Sequence, residues 1–391
     1  MVSLLIVVIY LSFISLGLPD SLLGSAWPSM YTGFGVPVSF AGLISMTISC
    51  GTVISALFSD RLTKKFGAGV VTAVSVGVTA AALFGFSISG SFYMLILFAI
   101  PYGLGAGCVD AALNNFVALH YASRHMSWLH CMWGVGTTIS PYVMGYALSK
   151  GMGWNVGYRT ISILQVCLTA IIVFSLPLWK KAPNMNADLK VDEEIDNSKP
   201  LKLKDVLAIK GAKEIMLTFF CYCGLEQTVI LWGASYLVLG CGIATETAAF
   251  FASMFFIGMT VGRGINGFLS IKFSDTFLIR LGQGIILFGA FLILLPLGNT
   301  VTLIALVIVG LGCAPIYPCV IHSTPVHFGA GKSQAVIGIE MASAYVGTTL
   351  MPPIFGLVSS HISIQLFPVY LLILLVPMVL MHETLVKKTN R

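Results

Sequence analysis

Twelve times along its 391 residues the chain runs for about twenty positions with hardly a charge, which is the length an α-helix needs to cross a bilayer. These segments span residues 3–26, 37–58, 69–90, 92–118, 128–149, 159–179, 213–239, 247–271, 276–297, 300–324, 334–359 and 363–382. In hydrocarbon no water pairs with the backbone, so each run must close its own hydrogen bonds as a helix. The composition agrees: 57% of residues are hydrophobic and 9% charged, against about 25% charged in soluble proteins. An integral, multi-pass membrane protein follows, with the lipid bilayer as its first partner. The first segment lacks a basic leader, and Asp20 with Trp27-Pro28 is unlike a small-residue cleavage site, so it is read as a helix rather than a removable signal. Trp27 is read as an interfacial anchor.

The segments fall into two related halves. Val135-Gly136-Thr137-Thr138 returns as Val346-Gly347-Thr348-Thr349, an offset of 211 residues. The same offset carries the stretch from Ser55 to Leu62 onto that from Asn266 to Phe273, and Gly103-Leu104-Gly105 returns as Gly310-Leu311-Gly312 at an offset of 207. A duplicated half places a functional site on the axis relating the copies. Residues 1–180 make the first six-helix bundle, 181–212 a polar linker rich in lysine, aspartate and glutamate, and 213–391 the second bundle. A short amphipathic helix is expected around Leu201 to Ile209.

Basic residues set the orientation. Arg61, Lys64, Lys65, Arg124, Lys272, Lys332, Lys387 and Lys388 follow even-numbered segments, Arg280 stands on the same side just inside the ninth, and the linker follows the sixth, whereas the opposite side offers Lys150 and Arg159. The positive-inside rule then puts both termini and the linker in the cytoplasm. The net charge of +6 is accounted for in this way, without nucleic acid. Nine cysteines without metal-ligand spacing read as small buried apolar residues.

Twelve helices in two duplicated sixes resemble the major facilitator superfamily over the whole chain. The stretch after the second helix, Ala56-Leu57-Phe58-Ser59-Asp60-Arg61-Leu62-Thr63-Lys64-Lys65-Phe66-Gly67, is similar to that family's signature loop, with Asp60, Arg61 and Lys65 matching. Lys64 stands for an arginine, and Ala56 and Thr63 stand where glycine is usual. The resemblance implies an all-α fold of two pseudo-symmetric bundles, with Asp60, Arg61 and Lys65 as a gating latch. An ordinary cytoplasmic turn is the plain alternative. Glu226 with Trp232 further along the seventh helix, and acids in helices one and four, look most like the fucose-permease branch of sugar symporters.

A carboxylate inside a membrane span is costly and marks an ion or substrate route by default. Asp20, Asp110, Glu226 and Glu340 lie well inside the segments. By the resemblance, helices one, four, seven and ten line the central cavity, so the first three would face it. Acids without a basic neighbour in a site of low dielectric can take up and release protons. Asp20, Asp110 and Glu226 are therefore the candidate proton carriers; each could instead be a neutral, hydrogen-bonded structural group.

Sugar hydroxyls need side chains that donate and accept, with aromatic faces beside them. Asn114, Asn115, Gln227, Trp232, Tyr317, Tyr102, His130, Trp133 and Glu340 are the candidate substrate contacts, any one of which could serve packing instead. Pro141, Pro315, Pro318, Pro352 and Pro353 are candidate bends, either flexible or fixed. Gly329-Ala330-Gly331-Lys332-Ser333 imitates the end of a phosphate loop, but Val326 stands where its first glycine belongs. His120 and His125 lack further ligands for a metal. No catalytic constellation, cofactor or metal site is legible, so an enzyme is not expected.

The sequence reading is a monomeric transporter in the cell membrane that moves a small polar solute, most simply a sugar, with protons by alternating access. A proton-driven exporter of drugs or metabolites is the alternative on the same fold. A receptor or scaffold that has lost transport is a third.

Overall fold

A computed structural model describes residues 2–36, 40–180, 201–243, 245–295 and 297–389. The linker at 181–200 lies outside the described residues. Ten stretches among those described are long and apolar enough to cross a membrane. Two of the ten, Leu4–Trp27 and Asn299–Phe328, are broken helices.

The first compact unit contains residues 1–120 and 129–180. Its helices are α1 (Val2–Asp20), α2 (Leu22–Met30), α3 (Ala41–Phe66), α4 (Ala68–Ser87), α5 (Phe92–His120), α6 (Ser123–Ser149) from Leu129 onward, and α7 (Trp154–Trp179). Leu18, Leu22, Trp27, Ile44, Phe86 and Phe92 share one apolar core. Trp27 is buried there against Phe92 rather than free to anchor an interface.

The break between α1 and α2 has a local cause. Pro19 has no N–H, so it cannot donate to the carbonyl of Ser15 one turn earlier. The amide Nε2 of Gln165, from α7, donates to that carbonyl instead. On the next turn Ser140 donates to the carbonyl of Leu18, and Ser21 donates to the carbonyl of Thr137 at 2.7 Å. Gln165 of α7 and Ser140 of α6 thus satisfy carbonyls around the break, which an unassisted apolar helix would leave bare, and Ser21 ties the break to the α6 backbone. Glycines bring α6 close enough to do so: a Cβ on Gly17 would collide with the carbonyl oxygen of Trp133, and one on Gly136 with that of Ile14.

The second unit contains Tyr121–Trp128 and residues from Lys202 on. It comprises α8 (Leu203–Ala208), α9 (Ala212–Ser235), α10 (Thr245–Leu269), α11 (Asp275–Leu294), α12 (Asn299–Cys313), α13 (Ile316–Phe328), α14 (Ala330–His361) and α15 (Phe367–Thr389). The tenth apolar segment is split into α12 and α13 at Ala314-Pro315, where the sequence places a bend. The hydroxyl of Tyr222 donates to the carbonyl of Cys313 at that break, 2.9 Å away. By contrast α14 runs through Pro352 and Pro353 as one helix, with Trp232 donating to the carbonyl of Pro352 and Tyr370 to that of Met351. The side chain of Pro141 lies outside the described residues.

Candidate functional site

The α1/α2 break ends the first helix on Asp20, and this places the carboxylate where two other helices reach it. Tyr102 of α5 donates its hydroxyl to Oδ1 at 3.0 Å, and Trp133 of α6 donates its indole N–H to Oδ2 at 2.9 Å. Asp20 is nevertheless exposed, so the carboxylate is held by its partners without being sealed off. Three candidates from separate parts of the chain meet in this one group.

A second polar chain lies farther along the same two helices. Asn114 donates from Nδ2 to Oδ1 of Asp110 at 2.8 Å and to its carbonyl at 3.0 Å, while His130 bonds Oδ1 of Asn114 through Nε2 at 3.1 Å. Since the amide oxygen accepts, Nε2 of His130 carries the hydrogen. The ring meets the edge of Phe13 at 5.2 Å between centroids. Asp110, Asn114, Asn115 and His130 are all buried. Tyr102 and Asp110 are eight residues apart on α5, about 12 Å along the axis. His130 and Trp133 lie one turn apart on α6, so both acids are served by side chains of the same two helices.

In the second unit, Glu226 does not stand alone. Arg263 of α10 places its guanidinium 3.3 Å from Oε1 of Glu226, with both side chains almost enclosed. The expectation that the membrane acids lack a basic neighbour fails for this residue. Tyr317 sits near the pair, its ring 4.6 Å from Phe219 and its hydroxyl on the sulfur of Met341. Gln227 is half-buried.

Two substrate candidates turn out to be occupied by the fold. Glu340 is fully buried, and Thr324 donates its hydroxyl to both oxygens at 2.9 and 3.2 Å, so it ties α14 to α13 and reaches no open surface. The indole N–H of Trp232 is taken by the carbonyl of Pro352, and its ring packs edge-on against Phe355. Both are structural contacts here.

Of the gating residues, Asp60 is buried and receives the ammonium of Lys64 at 3.3 Å and the main-chain N–H of Leu201 at 3.2 Å. Arg61 and Lys65 are exposed and lie over Phe58 and Phe66 of their own helix. The partner of Asp60 on this helix is therefore Lys64, one turn on, and not the matching Arg61 or Lys65. Gln165 was not singled out from the sequence, although a lone amide in an apolar segment is a legible sign of a backbone defect to be repaired. Among the described residues, no group of three His, Cys, Asp or Glu side chains is arranged to hold a metal ion.

A groove of about 670 Å³ lies between α3 and α5, walled by Leu43, Met46, Ile54, Ile96 and Leu104 among others, and none of the candidate residues lines it.

Comparison with known proteins places this geometry. The chain is 24% identical over 297 residues to Bypass of stop codon protein 6 of Saccharomyces cerevisiae, covering 70% of this chain and 59% of that protein. It thus spans about three fifths of that relative's length. Its fold superposes on the fucose:proton symporter FucP of E. coli with a TM-score of 0.69 at 17% identity, covering 97% of this chain and 98% of that one. The proton:xylose symporter XylE matches with a TM-score of 0.79 at 12% identity, covering 97% and 94%. Identities this low establish the fold alone. Residues 9–339 match the profile of the Major Facilitator Superfamily, and the chain belongs to that superfamily, a family of membrane transporters and not of enzymes.

Proposed function

We propose that the chain is a secondary active transporter that moves a small polar solute, a sugar, in symport with protons by alternating access of its two bundles. The observation that carries this reading is the carboxylate of Asp20, exposed yet held by Tyr102 and Trp133. An ionised acid at that depth is stabilised by both donors, and on protonation the carboxyl gains an O–H that can donate to a solute hydroxyl. Trp133 and Tyr102 supply aromatic surface beside it, which suits the apolar face of a pyranose.

Asp110, through Asn114 and His130, is the second proton carrier in this reading, and Asn115 and Tyr317 are further solute contacts. Glu226 serves with Arg263 as a charge pair that neutralises itself. Asp60 with Lys64 holds the chain where it leaves the linker, and Arg61 and Lys65 complete the gate at the cytoplasmic side. The transporter works as a monomer in the cell membrane, with both termini in the cytoplasm. FucP and XylE, whose fold this chain shares, are described as sugar:proton symporters, which supports the solute class and the coupling ion.

The test is uptake of radiolabelled fucose, xylose, glucose and galactose by proteoliposomes bearing an inward proton gradient. Accumulation of at least one of them, abolished by a protonophore, is expected. Accumulation of none, with efflux of lipophilic cations instead, would favour the exporter, for which the apolar groove between α3 and α5 is the one structural argument. Ligand binding without any flux would favour a receptor.

A further inference from the structure

A histidine whose two ring nitrogens both face hydrogen-bond acceptors has a defined proton count, and His322 of α13 is such a residue. Its Nδ1 lies 2.6 Å from Oδ2 of Asp275, at the start of α11, and its Nε2 lies 3.1 Å from the main-chain carbonyl of Tyr121. A carbonyl cannot donate, so Nε2 carries a hydrogen. At 2.6 Å a bare nitrogen lone pair would oppose a bare carboxylate oxygen, so a second hydrogen lies between Nδ1 and Oδ2. Whichever of those two atoms holds it, the pair carries one proton more than a neutral imidazole beside a carboxylate. Both side chains are largely enclosed, at 12% and 13% exposure.

The same pair fastens a particular stretch of chain. Tyr121–Trp128, which includes the first turns of α6, groups with the second unit. Tyr121 meets it through the carbonyl that His322 holds, and Ser123 donates its hydroxyl to the other oxygen of Asp275. Beyond the pair, Asn266 of α10 donates to Ser127 at 2.7 Å, and Trp128 packs against Phe268. The titratable groups around the pair are Cys319 and His327 on α13, and Tyr121, Arg124 and His125 within the stretch itself. Farther along α11, Arg280 is engaged by Glu383 of α15.

We propose that Asp275 and His322 form a proton-binding site, separate from the acids of α1 and α5, whose occupancy fastens residues 121–128 to the α11–α13 surface. When the proton leaves to water, a neutral imidazole keeps a single N–H. It can then serve Asp275 or the Tyr121 carbonyl but not both, and one of the two ties is lost. The site stands whether or not the transported solute is a sugar.

Hydrogen exchange of the full chain in lipid nanodiscs, without solute, tests this. Protection of the amides of residues 121–128, corrected for intrinsic exchange, is compared between about pH 6 and about pH 8.5, a range that spans histidine titration. The native chain is expected to lose about fivefold in protection as pH rises, the worth of one hydrogen bond. His322→Gln and Asp275→Asn are expected to abolish that dependence, with exchange of α9 and α15 serving as the check that each variant is folded. Native protection that is flat across the range overturns the proposal by itself. So does a dependence that persists in either folded variant, since another group would then be titrating.

Discussion

The indole N–H of Trp133 donates to Oδ2 of Asp20 across 113 residues of sequence, at 2.9 Å. This bond exists because Gly17 and Gly136 let α1 and α6 touch backbone to backbone, and because the break at Pro19 ends α1 on the acid. Position and chemistry here have the same origin. The local cost of a broken helix is offset by Gln165 and Ser140, and what remains is a carboxylate held by two donors at the end of α1.

Coupling through Asp20 leads to a definite phenotype. Asp20→Asn keeps the volume and an acceptor for Tyr102 or Trp133 but cannot ionise. Uphill accumulation of solute under a proton gradient is expected to disappear, while exchange of labelled for unlabelled solute across the membrane persists. Trp133→Phe leaves the acid and removes one donor. A loss of about 1.5–3 kcal/mol of stabilisation of the ionised form is expected, which would move the pH dependence of uptake toward higher pH. Uptake by Asp20→Asn that still responds to the gradient would remove Asp20 from the coupling path.

The close approach of α1 and α6 is open to a direct stability measurement. Gly17→Ala forces a Cβ onto the Trp133 carbonyl, which has no flexible end to move aside. Overpacking of this kind costs about 1–3 kcal/mol, so a lowered midpoint in a thermal-shift assay is expected. Gly24→Ala, where a Cβ meets nothing within 4 Å, is the control and should leave the midpoint unchanged. Equal midpoints for the two variants would mean that the helices are not in contact.

The architecture was legible because its cause is written locally. Apolar runs of spanning length and the repeat at a constant offset need no tertiary information, and the break at Ala314-Pro315 lies where proline removes a donor. Asp20, Tyr102 and Trp133 were each visible as polar or aromatic residues in apolar segments. That they share one carboxylate was not, because the sequence does not tell which faces of α1, α5 and α6 meet. The basic neighbour of Glu226 was hidden for the same reason. Only the packing of α10 against α9 turns Arg263 toward the acid. Glu340 and Trp232 had the right chemistry for a ligand, but Thr324 and the Pro352 carbonyl had already taken it.

Asn114 is the middle of a three-residue chain, so its loss is felt at both ends. In Asn114→Ala, Asp110 loses the side-chain donor that spans one helical turn, and His130 loses its acceptor. Leaving buried polar groups short of a partner costs about 1–3 kcal/mol each. A clear drop in thermal midpoint is expected, together with impaired uptake. Asn114→Asp should be worse, since two carboxylates one turn apart repel when both are ionised. Raising the proton concentration should partly rescue Asn114→Asp but not Asn114→Ala, and uptake and midpoint measured as functions of pH separate the two.

Glu226 and Arg263 allow a sharper distinction between a charge pair and a proton carrier. Removing one member of a largely enclosed pair leaves the other uncompensated, at a cost of about 3–5 kcal/mol. Glu226→Gln and Arg263→Met should therefore each lower the thermal midpoint strongly. In the double variant no lone charge remains, so much of that loss should be recovered. If Glu226 serves the fold through Arg263, proton-driven uptake should return along with stability in the double variant. If Glu226 itself carries the coupled proton, stability should return while accumulation against a gradient does not. A double variant no more stable than the worse single one would mean that the two charges do not compensate each other, and the 3.3 Å approach would then have no energetic consequence.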